Sequence, residues 1–142
     1  MPLHLIKLAV GVRDLDHMAE IQERRASLVD GRSLIPLHTR RTPKRAEEIL
    51  AGGSLYWVIR GSVAVRQRIV GIDSGVDAEG EGFCILQLDG ERVPTVPLPH
   101  RPFQGWRYLE PEKAPRDLAD GQGEGDALPA HMVAELRALG LL

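Results

Sequence analysis

The strongest folding signal in this 142-residue chain is a pair of strand-like segments, residues 54–60 and 63–72, joined by Gly61-Ser62. Both segments are rich in β-branched and aromatic residues, and a glycine-first dipeptide between such segments is typical of a two-residue hairpin turn. In that register Trp57 lies opposite Arg66. Because side chains alternate between the two faces of a strand, the register decides which of them are exposed, and a one-residue shift would exchange the faces.

Weaker strand and helix patterns surround this hairpin. Apolar alternation predicts strands, capping residues predict helices, and four prolines between residues 94 and 102 favour an extended crossing or an edge strand. We predict strands at 3–12, 83–88 and 103–109, a short strand or link at 33–38, and helices at 15–28, 43–50 and from 129 onward.

These elements predict one α+β domain over residues 1–142, with a small mixed β-barrel or curved sheet of five to six strands and two to three flanking helices. A flexible stretch is expected at about residues 111–127, where glycines are frequent, before the C-terminal helix.

The composition excludes several classes of protein. The single Cys84 rules out an internal disulfide and a multi-cysteine zinc site, and it suits a reducing compartment. No apolar run is long enough to span a membrane, and no signal-peptide cleavage pattern follows the first strand, so we expect a cytoplasmic protein. The five histidines are scattered, which predicts no metal site and no cofactor, and no catalytic motif is visible. Enzyme activity is therefore not the first expectation.

Charge is distributed unevenly along the chain. Residues 38–72 carry seven bases and two acids, a net charge of +5, whereas residues 73–91 carry six acids and no lysine or arginine. This asymmetry predicts a surface with one anion-facing side. The alternative is that the two stretches neutralise each other in the folded protein.

Two groups of residues are candidates for contact with nucleic acid. In the predicted register, Trp57 forms an exposed stacking surface beside Arg66 and Arg68; the alternative places Trp57 in the core, where tryptophan usually lies. The second group is basic and precedes the second predicted helix, whose free N–H groups would help to hold a phosphate; the alternative pairs these bases with Glu47, Glu48 or the acidic stretch. It consists of Arg40, Arg41, Lys44 and Arg45.

The segment 101–108 is dense in aromatic residues. Phe103 and Trp106 are expected to complete the core, while the polar residues around them, His100, Arg101 and Arg107, are possible neighbours of a ligand.

Four short motifs carry a family resemblance: TPKRA at 42–46, GGSLYWVIRG at 52–61, VRQRI at 65–69 and RPFQGWRYL at 101–109. With them the chain resembles, nearly end to end, an uncharacterised bacterial family catalogued as domain of unknown function number 1489. The resemblance implies no activity and no site residues. The order of elements also resembles that of PUA-like and activating-signal-cointegrator-homology barrels, many of which bind RNA.

The leading hypothesis is a domain that binds nucleic acid, RNA or single strands before duplex DNA, through its basic and aromatic residues. The alternatives are a module that binds an acidic protein partner and, third, a small enzyme acting on a phosphorylated or nucleotide ligand near His100 and Arg107. No membrane partner is expected.

Overall fold

Eight strands form one open, mixed sheet in the computed structural model, which describes residues 2–119. The strands are β1 (His4–Leu8), β2 (Ser27–Val29), β3 (Arg32–Thr39), β4 (Ser54–Ile59), β5 (Ser62–Val76), β6 (Gly82–Asp89), β7 (Val93–Pro99) and β8 (Trp106–Leu109). The helices of the described residues are α1 (Leu15–Arg25), α2 (Ala46–Leu50) and a short 3₁₀ turn at Pro111–Lys113. The predicted helix from residue 129 and most of the predicted flexible stretch lie outside the described residues.

The long strand β5 joins the two halves of the sheet. The strand order is β2-β3-β6-β5-β4-β1-β8, with β1 parallel to β4 and the other neighbours antiparallel. The first half of β5 pairs with β4 and β7, and the second half pairs with β6 after a register shift between Ile69 and Gly71. The proline-rich strand β7 pairs along one edge with β5, as its composition predicted.

The α+β class is confirmed, but the predicted barrel of five to six strands is wrong. The sheet is open and has eight strands. One reason is the hairpin β2–β3: the sequence predicts its first strand as the end of a helix and its second as a short strand or link. Asp30 and Gly31 both have positive φ, 53° and 79°, and the Asp-Gly turn that they form reverses the chain into β3. The first helix consequently ends at Arg25 rather than at residue 28.

The register predicted for the central hairpin is also wrong. Its turn is Arg60-Gly61, with φ of 52° and 86°, so that Ile59 pairs with Ser62. Positive φ at both central residues is typical of a type I′ turn, which matches the twist of the adjoining strands. A further irregularity next to Trp57 makes that residue pair with Val65.

Strand β4 is buried at all six positions because both of its faces are covered. One face packs into the main core between the sheet halves and α1, together with the side chains of Leu5, Met18, Ile35, Leu55, Trp57, Ile59, Val65, Ile69, Leu86, Leu88 and Trp106. The opposite face forms a smaller cluster from Ile6, Tyr56, Val58, Val63 and Leu109.

A polar network lies inside the main core. The side chains of Gln22 and Gln67 exchange two hydrogen bonds of 2.8 Å, and the Trp57 Nε1–H donates to Gln67 Oε1 at 2.8 Å. Arg92 donates to Gln22, and Gln67 also donates to the Asp89 carbonyl. Because every buried amide group here has a partner, the network ties α1 to the hairpin without an unsatisfied dipole.

Neither described α-helix is long and apolar enough to cross a lipid bilayer.

Candidate functional site: a basic cleft at one edge of the sheet

A cleft of about 610 Å³ opens where the end of β3 approaches the beginning of β8. Its wall contains three bases and no acid, together with two polar side chains, one glycine and one indole. The lining residues are Lys7, Thr39, Arg40, Arg41, Gln104, Gly105 and Trp106. We call this the basic cleft. A concave surface lined by charge of one sign concentrates oppositely charged ligands.

Arg41 and Trp106 hold one wall of the basic cleft in place. The Arg41 guanidinium carbon lies 4.5 Å from the centre of the Trp106 ring, a cation–π distance. Arg41 Nη2 donates to the Trp106 carbonyl at 2.9 Å, and Trp106 Nε1 donates to the Arg41 carbonyl at 3.1 Å. Thr39 Oγ1 also donates to the Arg41 carbonyl. The segment after β3 is thus attached to β8 by reciprocal hydrogen bonds.

Lys7 and Arg40 supply the remaining positive charge. Lys7 lies in β1, between Trp57 of β4 and Trp106 of β8, and is half-buried at the margin of the main core. Arg40 is exposed directly after β3. Neither side chain forms an ion pair with a residue in the described part of the chain. Their charges therefore remain available to an anionic ligand.

The predicted phosphate seat at the second helix is not formed. The helix α2 begins at Ala46, three residues later than predicted. The backbone N–H groups of Lys44 and Arg45 both donate to Tyr108 Oη, at 2.9 and 3.3 Å. The N–H groups expected to hold an anion are thus already occupied by β8.

Arg45 is neutralised by two carboxylates. Its guanidinium pairs with Glu48 at 2.6 Å and with Glu110 at 3.2 Å, and it lies 5.6 Å from the centre of the Tyr108 ring. The hydrogen bond from Arg45 lowers the pKa of Glu48. For Arg45 the structure therefore agrees with the alternative given in the sequence analysis, in which these bases pair with acids such as Glu48. Lys44 beside it is exposed and has no ion pair among the described residues.

The predicted Trp57 stacking surface is absent because the register differs. Trp57 is 6% exposed and donates its indole N–H to Gln67, so it belongs to the core. Arg66 lies opposite Tyr56 instead, on the other face of the sheet, and is paired with Asp117. Arg68 is exposed, away from the basic cleft, in a pocket that also contains acidic residues, Asp89 and Glu91.

His100 and Arg107 contact the Phe103 ring instead of lining a cleft, and Arg101 is exposed beside them. The His100 ring meets Phe103 edge-on at 5.0 Å, and the Arg107 guanidinium carbon lies 5.0 Å from the Phe103 ring centre. His100 Nδ1 is 2.8 Å from the Arg101 carbonyl. None of the three residues lines the cavities described here. Arg107 is thus stacked on an aromatic ring of its own segment.

The basic and acidic stretches do not neutralise each other through ion pairs. Among residues 2–119, no ion pair joins a base of 38–72 to an acid of 73–91. Sequence reasoning found Arg40 and Arg41 but missed Lys7, Thr39 and Gln104 as cleft residues. Lys7 gave a signal, since it interrupts an otherwise apolar strand. Thr39 and Gln104 gave none, because only the strand order brings them together.

The described residues contain no group of three or more histidine, cysteine, aspartate or glutamate side chains placed to hold a metal ion.

Comparison with known proteins assigns the family. The family model described as "Protein of unknown function (DUF1489)" matches residues 5–142. No curated protein matches, and no solved structure matches. The chain belongs to the DUF1489 family, as its motifs predicted. The resemblance to PUA-like barrels stays a prediction.

Proposed function

We propose that this member of the DUF1489 family binds single-stranded nucleic acid, RNA in preference to duplex DNA, through the basic cleft. The observation that carries the proposal is a concave wall with three bases, Lys7, Arg40 and Arg41, and no acid. Affinity for nucleic acid comes largely from cations that replace the counterions of the phosphate backbone. The cytoplasm is the proposed location.

Each base has a distinct role in this proposal. Lys7 and Arg40 contact phosphates, since neither is paired with an acid of the described chain. Arg41 is exposed and is held against Trp106 on one side, so its other side is open to a nucleobase. Guanidinium planes are stacking surfaces for unpaired bases. Arg41 thus takes the stacking role that the sequence had assigned to Trp57.

The concavity favours a single strand. Duplex recognition usually inserts a helix or a ribbon into a groove of the nucleic acid. Here the cations line a depression at the sheet edge, which suits a flexible strand whose bases are already unstacked. The exposed amide of Gln104 at the rim offers hydrogen bonds to base edges without requiring one sequence.

The test is a titration of fluorescently labelled oligouridine, measured by anisotropy at low and at moderate salt, with duplex DNA of equal length as comparison. We expect binding at low salt that weakens as salt rises, and weaker binding of the duplex. Absence of RNA binding at both salt concentrations would overturn the proposal. Tighter binding of polyglutamate than of oligouridine would also contradict it and would favour an acidic protein partner.

A further inference from the structure

A second pocket, of about 320 Å³, lies on the other face of the sheet. The neighbouring strands β1, β4 and β5 supply its floor through His4, Ser54, Tyr56 and Arg66. The segment that follows β8, residues 111–117, closes one side with Pro111, Ala114, Pro115 and Asp117. The pocket shares no lining residue with the basic cleft.

Two neutral hydrogen-bond donors in this pocket have no partner. The Ser54 backbone N–H donates to His4 Nδ1 at 3.0 Å, so the proton of the neutral imidazole is on Nε2. The Tyr56 ring contacts the His4 ring edge-on at 5.0 Å. Tyr56 is only 4% exposed, yet its hydroxyl and His4 Nε2 form no hydrogen bond with a residue in the described part of the chain. Neither atom is fully buried, so both donors are accessible at the wall of the pocket, where a ligand that accepts hydrogen bonds can pair with them.

Arg66 lies in the pocket beside the two donors and is paired there with Asp117. Its Nε and Nη2 each donate to Asp117 at 2.7 Å, and its Nη1 donates to Ser54 Oγ at 3.0 Å. Burial and, second, the charge of Arg66 lower the pKa of His4. Burial raises the pKa of Tyr56, and the opposing effect of Arg66 there exceeds that of Asp117. Both groups are therefore protonated, neutral donors near neutral pH.

We propose that this pocket binds a small carboxylate, with one carboxylate oxygen accepting from Tyr56 Oη and His4 Nε2 and the apolar body of the ligand against Pro111 and Pro115. A carboxylate is acceptor-only and fits a wall that carries two unpaired donors. The remaining N–H capacity of Arg66 reinforces the site, because hydrogen bonds to ionised groups are stronger than neutral ones. The proposal does not rest on nucleic-acid binding.

The test is a nuclear magnetic resonance titration of the isotope-labelled full chain with sodium benzoate, against sodium chloride at equal ionic strength. We expect saturable shifts of the Ser54 amide and the His4 ring signals with benzoate only. The variant Tyr56→Phe keeps the ring contact and removes the hydroxyl, and it should bind benzoate about tenfold more weakly. Shifts that do not saturate, or equal affinity in Tyr56→Phe, would overturn the proposal.

Two further experiments determine whether the carboxylate belongs to a small molecule or to a peptide C-terminus, and whether this site is independent of the basic cleft. A short peptide with a free C-terminus is compared with its amidated form; the free form alone should bind, and equal binding of both would contradict the proposal. Tighter binding of benzoate would indicate a small-molecule ligand, and tighter binding of the free peptide would indicate a peptide C-terminus. The variant Lys7→Gln/Arg40→Gln should keep the benzoate shifts, whether or not oligouridine binds. Loss of the benzoate shifts in that folded variant would count against an independent site.

Discussion

At the scale of single residues, the hydrogen bond from Trp57 to Gln67 decides the role of the indole. A buried tryptophan N–H requires an acceptor, and Gln67 Oε1 provides one at 2.8 Å. The same glutamine is fully buried and also bonds to Gln22. The core position of Trp57 therefore depends on a polar side chain of the neighbouring strand β5, a contact that no alternation pattern reveals.

Replacing Gln67 with leucine should destabilise the protein strongly. The Trp57 N–H and the Gln22 amide would both lose their partner inside the core. Each unsatisfied buried group costs about 1–3 kcal/mol, so the free energy of unfolding should fall by about 2–4 kcal/mol in urea denaturation. The matched control is Gln87→Leu, whose amide makes only a 3.4 Å exposed contact with Asp73. An equal loss in both variants would show that the network does not stabilise the core.

His4 should make stability depend on pH. Its pKa in the folded state lies below the ordinary 6.5, chiefly because burial disfavours the charged form. Protonation would also convert Nδ1 from an acceptor of the Ser54 N–H into a donor. The unfolded chain thus binds the proton more readily, and stability falls as pH decreases from above 6.5 toward the lowered pKa.

The measurement is a series of urea midpoints across that pH range for the natural chain and for His4→Gln, whose amide oxygen can accept from Ser54. We expect the natural chain to lose more stability on acidification than the variant. Parallel pH profiles would contradict a depressed pKa at His4, since the other histidines are common to both proteins.

At the scale of elements, the two-residue turn of the central hairpin determines how β4 pairs with β5. Arg60 adopts φ of 52° and Gly61 φ of 86°. A non-glycine residue in the left-handed region is strained unless it is asparagine or aspartate, and Asn-Gly is the preferred type I′ pair. The exposed Arg60 is therefore a weak point of an otherwise buried hairpin.

The variant Arg60→Asn should stabilise the protein by about 0.5–1 kcal/mol, because asparagine tolerates the left-handed conformation better than arginine. Thermal and urea unfolding measure the change. The control is Arg68→Asn, an exposed arginine inside the same hairpin, where asparagine is disfavoured in a strand. If Gly61 and Ser62 formed the turn, Arg60 would be a strand residue and both variants would be destabilised.

The elements with local signals could be predicted, and those set by distant pairing could not. The Asp14 cap, the existence of the β4–β5 hairpin and the edge position of β7 follow from residue type and spacing. The predicted register of the hairpin was wrong for two reasons. Gly61 can be either the first or the second residue of a two-residue turn, and the irregularity beside Trp57 has no recognisable sequence signal. The Asp30-Gly31 hairpin was visible, but the same dipeptide also ends helices.

At the scale of the whole molecule, the basic cleft assembles from three segments far apart in the chain. Lys7 comes from β1, Arg40 and Arg41 follow β3, and Gly105 and Trp106 open β8. The strand order places β8 beside β1, although about a hundred positions separate them in sequence. Charge counting along the sequence identified the basic middle segment, but only the topology shows which bases share a surface and which are already paired.

The most direct test of the basic cleft compares two variants that each remove two positive charges. Lys7→Gln/Arg40→Gln changes the cleft, whereas Arg24→Gln/Arg68→Gln changes two exposed arginines that do not line it. Oligouridine affinity is measured over a salt series, after urea unfolding has shown that both variants are folded. We predict that the cleft variant binds about tenfold more weakly and has a salt slope reduced by about one to two, with little change in the control. Equal losses in the two variants would mean that net charge, and not this cleft, attracts the nucleic acid.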